Sequence, residues 1–132
     1  MKIETFAYLA TPYAHRTARI RNLRAKAACR IVGTLMKNNI KVFSPIVHNH
    51  QLKVSGLLKH WSHDDYMAYD AAFMATAHSL IIGILPGWEV SVGVELEQKE
   101  FRAQRKPILK YDPNQLFSEE EWNKLSAYSQ EL

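Results

Sequence analysis

The stretch Ser-Leu-Ile-Ile-Gly-Ile-Leu at residues 79–85 is a continuous apolar run of strand length. Such a run is typical of a strand that is buried on both faces, as in a parallel sheet covered by helices. The sequence Ile-Glu-Thr-Phe-Ala-Tyr-Leu at residues 3–9 predicts an earlier strand, which Thr11 and Pro12 end. Two more strands are predicted at residues 41–43 and 107–110.

Segments with helical spacing of apolar residues separate these strands. Helices are predicted at residues 16–37, 64–77 and 91–104. The first is ended by Asn38 and Asn39, which tolerate the left-handed conformation of a helix end. Residues 46–62 have no clear period and predict a loop with a short helix.

A last helix is predicted after Ser118. Ser118 and Glu121 have the spacing of a capping box, and Phe117 and Trp122 fit the hydrophobic staple around it. The resulting alternation of strands and helices predicts a doubly wound α/β sheet with right-handed crossovers. We expect one domain over residues 1–132, because no repeat or linker interrupts the pattern.

The composition limits the class of protein. Of the 132 residues, 47% are hydrophobic and 23% charged, which is ordinary for a globular protein and excludes wholesale disorder. Cys29 is the one cysteine, so no intrachain disulfide can form. No apolar run reaches the roughly 20 residues of a membrane span, and the N-terminal flank is wrong for a signal peptide. We therefore expect a soluble, cytoplasmic protein.

The formal net charge is +4, and much of it lies within residues 15–30. Apolar residues at helical spacing alternate with these cations, which favours the solvated face of an amphipathic helix. A nucleic acid is not the expected partner, because no interleaved aromatic residues or known module accompany the charge.

Ligands of doubly wound sheets bind beyond the carboxyl ends of the strands. Ser91 follows the third strand as a candidate helix N-cap, and Gly93 allows close approach of a ligand to the backbone. Free backbone N–H groups at such a helix start favour an anion, for example a phosphate. Arg16 and Arg19 flank the start of the first helix and can add positive charge to such a site.

Three side chains are candidates for acid–base chemistry. Glu97 lies one helical turn after Gly93 on the same face, although a surface carboxylate that complements the helix dipole explains it equally simply. Asp70 falls in an apolar helical stripe, where an aspartate is costly unless it is hydrogen-bonded or faces a cavity. Tyr8 ends the first strand, where its hydroxyl can reach a carboxylate.

The histidines invite a metal interpretation, with His48, His50, His60 and His63 near one another in sequence. Their spacing fits no known metal signature on a parallel α/β sheet, so we predict neither a metal nor a cofactor. His48 follows the second strand and is a candidate for ligand contact.

Several of these residues together resemble the nucleoside 2-deoxyribosyltransferase-like superfamily. The resemblance rests on Tyr8-Leu9-Ala10-Thr11-Pro12-Tyr13, Phe43-Ser44-Pro45, Asp70 and Gly87-Trp88-x-x-Ser91-x-Gly93-x-x-x-Glu97, and it spans about residues 5–110. The Ser-x-Gly-x-x-x-Glu string is also similar to that of the 2'-deoxynucleoside 5'-monophosphate N-hydrolases. The resemblance implies a flavodoxin-like, three-layer α/β/α fold with four to five strands.

The resemblance also implies cleavage of the N-glycosidic bond of a nucleoside or nucleotide, by hydrolysis or base exchange. Glu97 would act at C1' of the sugar, Asp70 would hold a sugar hydroxyl or help protonate the base, and Tyr8 would orient Glu97. Ser91 would meet the 5' end, and with Arg16 or Arg19 would favour a 5'-monophosphate. The remaining substrate-binding candidates are Gly93, Thr11, His48, Ser44 and Trp88. A homodimer or higher homo-oligomer is expected on the same ground, with Trp61, Tyr66 and Trp88 as interface or rim aromatics.

Other functions remain open. A phosphoribohydrolase of the cytokinin-activating type carries a glycine-rich string that residues 86–97 resemble loosely. A nucleotide-binding module without catalysis and a nucleic-acid binder are further alternatives. The sequence leaves open the base, the choice between ribose and deoxyribose, and whether water or a second base accepts the sugar.

Overall fold

The computed structural model describes residues 5–127, in which four parallel strands form one sheet. The strands are β1 (Ala7–Ala10), β2 (Val42–Phe43), β3 (Ser79–Gly83) and β4 (Ile108–Tyr111). Their order is β2-β1-β3-β4, and every neighbouring pair is parallel. The chain therefore adds β2 on one side of β1 and then adds β3 and β4 on the other side. This order confirms the doubly wound, flavodoxin-like prediction.

Helices cover both faces of this sheet. They are α1 (Ala18–Lys37), α2 (Pro45–Val54), α3 (His63–Thr76), α4 (Val92–Ala103) and α5 (Glu119–Ala127). One face packs Leu9 and Ile81 against α1 and α5. The other packs Tyr8, Leu80 and Ile82 against α3 and α4. The two separate apolar cores make the three-layer α/β/α arrangement that was predicted.

The central strands are buried over their whole length, as the apolar run at residues 79–85 predicted. Gly83 in β3 lies against Thr11, the residue that follows β1. A Cβ atom there would lie 2.9 Å from Thr11 Cγ2 and 3.0 Å from Ile31 Cδ1. Glycine at this position therefore lets the Thr11 side chain pack directly against β3.

Some predicted boundaries differ from the structure. The strand predicted at residues 3–9 begins at Ala7, because its partners in β2 and β3 begin opposite that residue; residues 3 and 4 lie outside the described part. β3 ends at Gly83 rather than at residue 85. The remaining predicted ends move by one or two residues.

The segment predicted as loop with a short helix begins directly with a helix at Pro45. Ser44 is the N-cap of α2, and its hydroxyl accepts a hydrogen bond from Val47 N at 3.1 Å. Proline at the first helical position suits this start, because its missing N–H would have no partner there. The Ser-Pro pair that ends β2 thus also begins α2, and this brings ten residues of helix to the edge of the sheet.

The predicted helix-end signals are confirmed. Asn39 has a φ of 62°, the left-handed conformation expected after α1. Ser118 N donates to Glu121 Oε1 at 2.9 Å, and Glu121 N donates to Ser118 Oγ at 3.1 Å. The Phe117 and Trp122 rings of the staple lie 5.8 Å apart.

The basic face of α1 is only partly solvated. Arg24 is buried, and its guanidinium donates to the Ala14 carbonyl at 2.8 Å. Arg21 donates to the neighbouring His15 carbonyl. These two arginines fix the loop that follows β1 instead of facing solvent. Within residues 5–127, no helix combines the length and the apolar character that crossing a bilayer requires.

Candidate functional site

A cleft of about 170 Å³ lies beyond the carboxyl end of β1, between α2, α3 and the start of α4. Strand β1 and the loop after it contribute its floor, and the three helices contribute its walls. The lining side chains that carry polar or charged groups are Tyr8, Thr11, Tyr13, Asn49, His50, Lys53, His63, Tyr66, Asp70, Ser91 and Glu97. This is the switch point of the sheet, where doubly wound folds bind their ligands.

Glu97 extends into the cleft from the second turn of α4 and is half-buried. Burial raises the pKa of Glu97 to about 8; the Tyr8 hydroxyl opposes this shift and the Asp70 carboxylate adds to it. An empty cleft therefore favours the neutral acid, and a positive charge near Glu97 would favour the carboxylate.

Two buried hydroxyls border the same space. Tyr8 is fully buried and Thr11 is 4% exposed. Within the described residues, neither Tyr8 Oη nor Thr11 Oγ1 has a hydrogen-bond partner of ordinary geometry. Burial raises the pKa of Tyr8, and the Glu97 and Asp70 carboxylates raise it further, so the phenol stays protonated. Buried unpaired hydroxyls are uncommon, and here both border a cleft that a polar ligand could enter.

Asp70 lies on the face of α3 that lines the cleft, as its apolar stripe suggested. Burial raises its pKa, and the Asn49 hydrogen bond and the Lys53 charge oppose that shift. Asn49 is buried, and its Nδ2 donates to Asp70 Oδ1 at 3.2 Å. Asn49 Oδ1 in turn lies 2.8 Å from His48 Nδ1. When His48 Nδ1 carries a proton, it donates to Asn49 Oδ1. This contact orients the amide so that Asn49 Nδ2 donates to Asp70.

Ser91 and Gly93 form the wall at the start of α4. Ser91 Oγ accepts a hydrogen bond from Val94 N at 3.3 Å, which confirms the predicted N-cap. A Cβ atom on Gly93 would meet only Ser91 Oγ, at 3.9 Å. Glycine is therefore not required by protein packing at this position, and its missing side chain leaves room at the cleft wall.

A group of cationic and aromatic side chains forms another part of the rim of the cleft, away from Ser91 and Gly93. Lys53 Nζ lies 4.3 Å from the Tyr66 ring centroid and 4.9 Å from that of Tyr13. Tyr13 Oη and His50 Nδ1 are hydrogen-bonded at 2.8 Å. We call these four residues, Tyr13, His50, Lys53 and Tyr66, the basic rim.

The structure thus brings together six of the predicted site residues: Tyr8, Thr11, Asp70, Ser91, Gly93 and Glu97. Five others do not line the cleft. Ser44 caps α2. His48 is exposed, and its ring stacks on that of Tyr69 with the two ring centroids 5.5 Å apart. The Trp88 ring lies under Lys110 Nζ at 5.1 Å. Arg16 is exposed, and Arg19 borders a separate groove against α5, because α1 begins only at Ala18 and turns that side chain toward the C-terminal helix.

Sequence reasoning did not identify Asn49 or Lys53 as site residues. Asn49 and Lys53 are four residues apart and share one face of α2, but that spacing has meaning only once the helix is recognised. The available signal was Ser44-Pro45, which fits an N-cap followed by proline at the first helical position.

The four histidines of the metal interpretation are not all at one place. His50 and His63 line the cleft, His48 is paired with Asn49, and His60 is exposed. Among residues 5–127, no three histidine, cysteine, aspartate or glutamate side chains are grouped closely enough to hold a metal ion.

Comparison with known proteins gives a family but no activity. A model of the family described as Domain of unknown function (DUF1937) matches residues 5–113. This match covers β1 to β4 and every residue that lines the cleft. No curated protein matches the chain. The chain belongs to the DUF1937 family.

Proposed function

We propose that this protein cleaves the N-glycosidic bond of a nucleoside or nucleoside 5'-monophosphate, with Glu97 acting at C1' of the sugar. The observation that carries the proposal is the meeting of Glu97, Asp70 and the buried Tyr8 hydroxyl in one cleft. The resemblance of these positions to the nucleoside 2-deoxyribosyltransferase-like superfamily gives the same assignment.

The chemistry suits the electrostatics of the cleft. Loss of a base leaves positive charge on C1' and the ring oxygen, which a nearby carboxylate can trap or stabilise. The carboxyl of Glu97 is desolvated in the empty cleft. Its interaction with a cationic sugar is therefore stronger than in water, and it strengthens as the charge develops.

The proposed reaction proceeds as follows. The C1'–N bond breaks, and its electron pair leaves with the base nitrogen, which takes a proton from water. The Glu97 carboxylate forms a bond to C1' or holds the cation as an ion pair. Water then attacks C1', the bond or ion pair between C1' and Glu97 is broken, and the proton that this water loses neutralises the hydroxide left when the base was protonated. In base exchange, the nitrogen of a second base attacks C1' instead and loses its proton to that hydroxide.

Asp70 and Tyr8 support the same step. Because Asn49 donates to Asp70 Oδ1, Asp70 is suited to act as an acceptor, and we assign it to a sugar hydroxyl. The Tyr8 hydroxyl opposes the rise in the pKa of Glu97, so it helps to stabilise the ionised nucleophile. Thr11 Oγ1 offers a second polar contact for a sugar.

The size of the cleft supports a sugar as the enclosed part of the ligand. Pockets that enclose a whole drug-sized molecule measure roughly 300–1,000 Å³. The cleft measures about 170 Å³, which suits a pentose ring with the base extending outward. A second copy of the chain, proposed above from the resemblance, could cover that base.

Chromatography of free base released from a panel of nucleosides and 5'-monophosphates tests the proposal. We expect release from at least one member, and loss of several orders of magnitude in turnover for Glu97→Gln. Glu95→Gln is the matched control, because Glu95 lies exposed on the same helix beside Lys99. Binding of a panel member without release would support a nucleotide-binding module instead.

A further inference from the structure

We propose that the basic rim is an anion subsite, in which Lys53 binds a phosphate or carboxylate group of the molecule whose sugar occupies the cleft. The presence of a sugar in the cleft rests on the proposed function, whereas the anion contact is inferred from the residues of the basic rim alone. It places the anion at α2 rather than at Arg16 or Arg19.

The environment of the Lys53 ammonium suits contact with an anion. Its stem extends from the last turn of α2, and its Nζ lies over the faces of Tyr13 and Tyr66. Among residues 5–127, no carboxylate lies within ion-pair distance of it. Two ring faces leave at least one of the three N–H donors of an ammonium free to reach a ligand. Lys53 also lines the cleft, so this donor is accessible from the ligand side.

Positive charge accumulates at the basic rim. Burial raises the pKa of Tyr13, and the nearby Arg21 charge opposes that rise. Burial lowers the pKa of His50, and the Lys53 and Arg21 charges lower it further. Burial lowers the pKa of Lys53, and Arg21 lowers it further, while Asp70 opposes the change. Asp70 acts on Lys53 from a distance but forms no ion pair with it in the described residues, so the converging like charges of Lys53 and Arg21 favour a bound anion.

The Tyr13 hydroxyl has a fixed position beside Lys53. Tyr13 Oη is held at 2.8 Å from His50 Nδ1, and both residues line the cleft beside Lys53. When neutral His50 carries its proton on Nε2, its Nδ1 accepts a hydrogen bond from the Tyr13 hydroxyl and its Nε2 can donate to a ligand. The rim therefore presents polar donors around one cation, which is the pattern that oxygen-rich anions require.

The cleft thereby has two electrically different ends. Glu97 and Asp70 face the part of the ligand that becomes positive, and Lys53 faces a part that is already negative. A nucleoside 5'-monophosphate has this polarity, and so does a nucleoside whose base carries a carboxylate. The shared chemistry is an anionic oxygen group on a sugar-bearing molecule.

Calorimetric titration of the full chain with ribose 5-phosphate and with ribose tests the subsite. Neither probe has an N-glycosidic bond, so the result does not depend on catalysis. We expect ribose 5-phosphate to bind about tenfold or more tightly than ribose, because one charge-assisted contact supplies at least that factor. The preference should decrease as salt is added.

A second arm compares a pyrimidine nucleoside that carries a carboxylate on the base with the same nucleoside without it. Preference confined to this pair assigns the subsite to the base, and preference confined to ribose 5-phosphate assigns it to the phosphate. Equal binding within both pairs, or no binding of either anion at millimolar concentration, overturns the proposal.

Lys53→Met tests the residue, because methionine keeps an unbranched stem between the two rings and removes the charge. We expect it to abolish the anion preference, and Lys53→Arg to retain most of it. Lys59→Met is the control, since Lys59 is exposed in the following loop. If Lys53→Met weakens ribose and ribose 5-phosphate equally, Lys53 holds a hydroxyl and the proposal is wrong. Anion preference without base release from any nucleoside would refute the proposed function and leave the subsite standing.

Discussion

Glu121 and Glu97 are two glutamates on opposite faces of the sheet, and their surroundings differ in almost every respect. Glu121 lies near the start of α5, where Arg30 Nη1 and Nη2 donate to its two oxygens at 3.1 and 2.8 Å. Ser118 N donates to it as well. These partners, chiefly Arg30, lower the pKa of Glu121 to about 2.

Glu97 has the opposite surroundings. No arginine pairs with it within the described part of the chain, and burial raises its pKa to about 8 against the opposing effect of the Tyr8 hydroxyl. Neither Tyr8 Oη nor Thr11 Oγ1 has a hydrogen-bond partner of ordinary geometry among the described residues. The carboxyl of Glu121 fixes one helix to another and needs no ligand. The carboxyl of Glu97 is held in a less favourable state, which is characteristic of a functional site. Under the proposed function, Glu121 is therefore a structural acid and Glu97 a reacting one.

The largest expected effect is on the pH dependence of stability. Because the folded-state pKa of Glu97 lies above its ordinary value of 4.5, the folded protein holds the extra proton and loses stability as pH rises from 4.5 to about 8. The size of this loss is on the order of a few kcal/mol. Urea unfolding at several pH values should show that Glu97→Gln removes the loss.

Glu121→Gln is the opposite control. The folded-state pKa of Glu121 lies below its ordinary value of 4.5. Its contribution to the stability of the fold is therefore fully present above pH 4.5 and is lost as the pH falls to about 2. This variant should lower Tm by only a few degrees at neutral pH, because the pair with Arg30 is exposed. A Glu97→Gln protein whose stability follows the wild type from pH 4.5 to 8 would contradict the difference between the two glutamates.

The next effect concerns Asp70. Asp70→Asn should reduce kcat/KM by about tenfold or more, because an amide cannot supply the negative charge beside the sugar. Asp64→Asn is the matched control, an exposed aspartate in the first turn of the same helix. A large fall in Tm with unchanged turnover would place Asp70 with Glu121, as a structural acid.

The smallest effect is expected from Gly93→Ala. Its Cβ would meet only Ser91 Oγ at 3.9 Å, so the fold should accept it and Tm should stay level or rise slightly. A methyl group at the cleft wall should raise KM by about three- to tenfold. Gly33→Ala adds the same group to α1, where nothing lies within 4 Å, and should leave KM unchanged. Equal kinetics for both variants would show that ligands do not approach Gly93.

The sequence was most informative where local pattern and tertiary structure agree. The run at residues 79–85 predicted a buried parallel strand, and Ser118 with Glu121 predicted the start of α5, since both signals depend on adjacent residues. The sequence made Asp70 a candidate site residue because burying an aspartate within an apolar helical stripe costs free energy.

What could not be predicted depended on which elements pack together. Lys53 reaches the cleft only because α2 begins at Pro45 and lies beside α3. Arg16 and Arg19 are close in sequence to the loop after β1, but the direction of α1 carries Arg19 to α5. The missing partners of Tyr8 and Thr11 likewise become visible only when the neighbours of each hydroxyl are known.

The pH dependence of kcat/KM for base release tests the central claim most directly, because this profile reports the ionisation of the free enzyme. If Glu97 acts at C1' as a carboxylate, kcat/KM rises with pH and levels off above about 8, where the cleft has released its proton. A kcat/KM that is constant or falls as pH increases toward 8 would contradict the assignment of Glu97 as the reacting carboxylate.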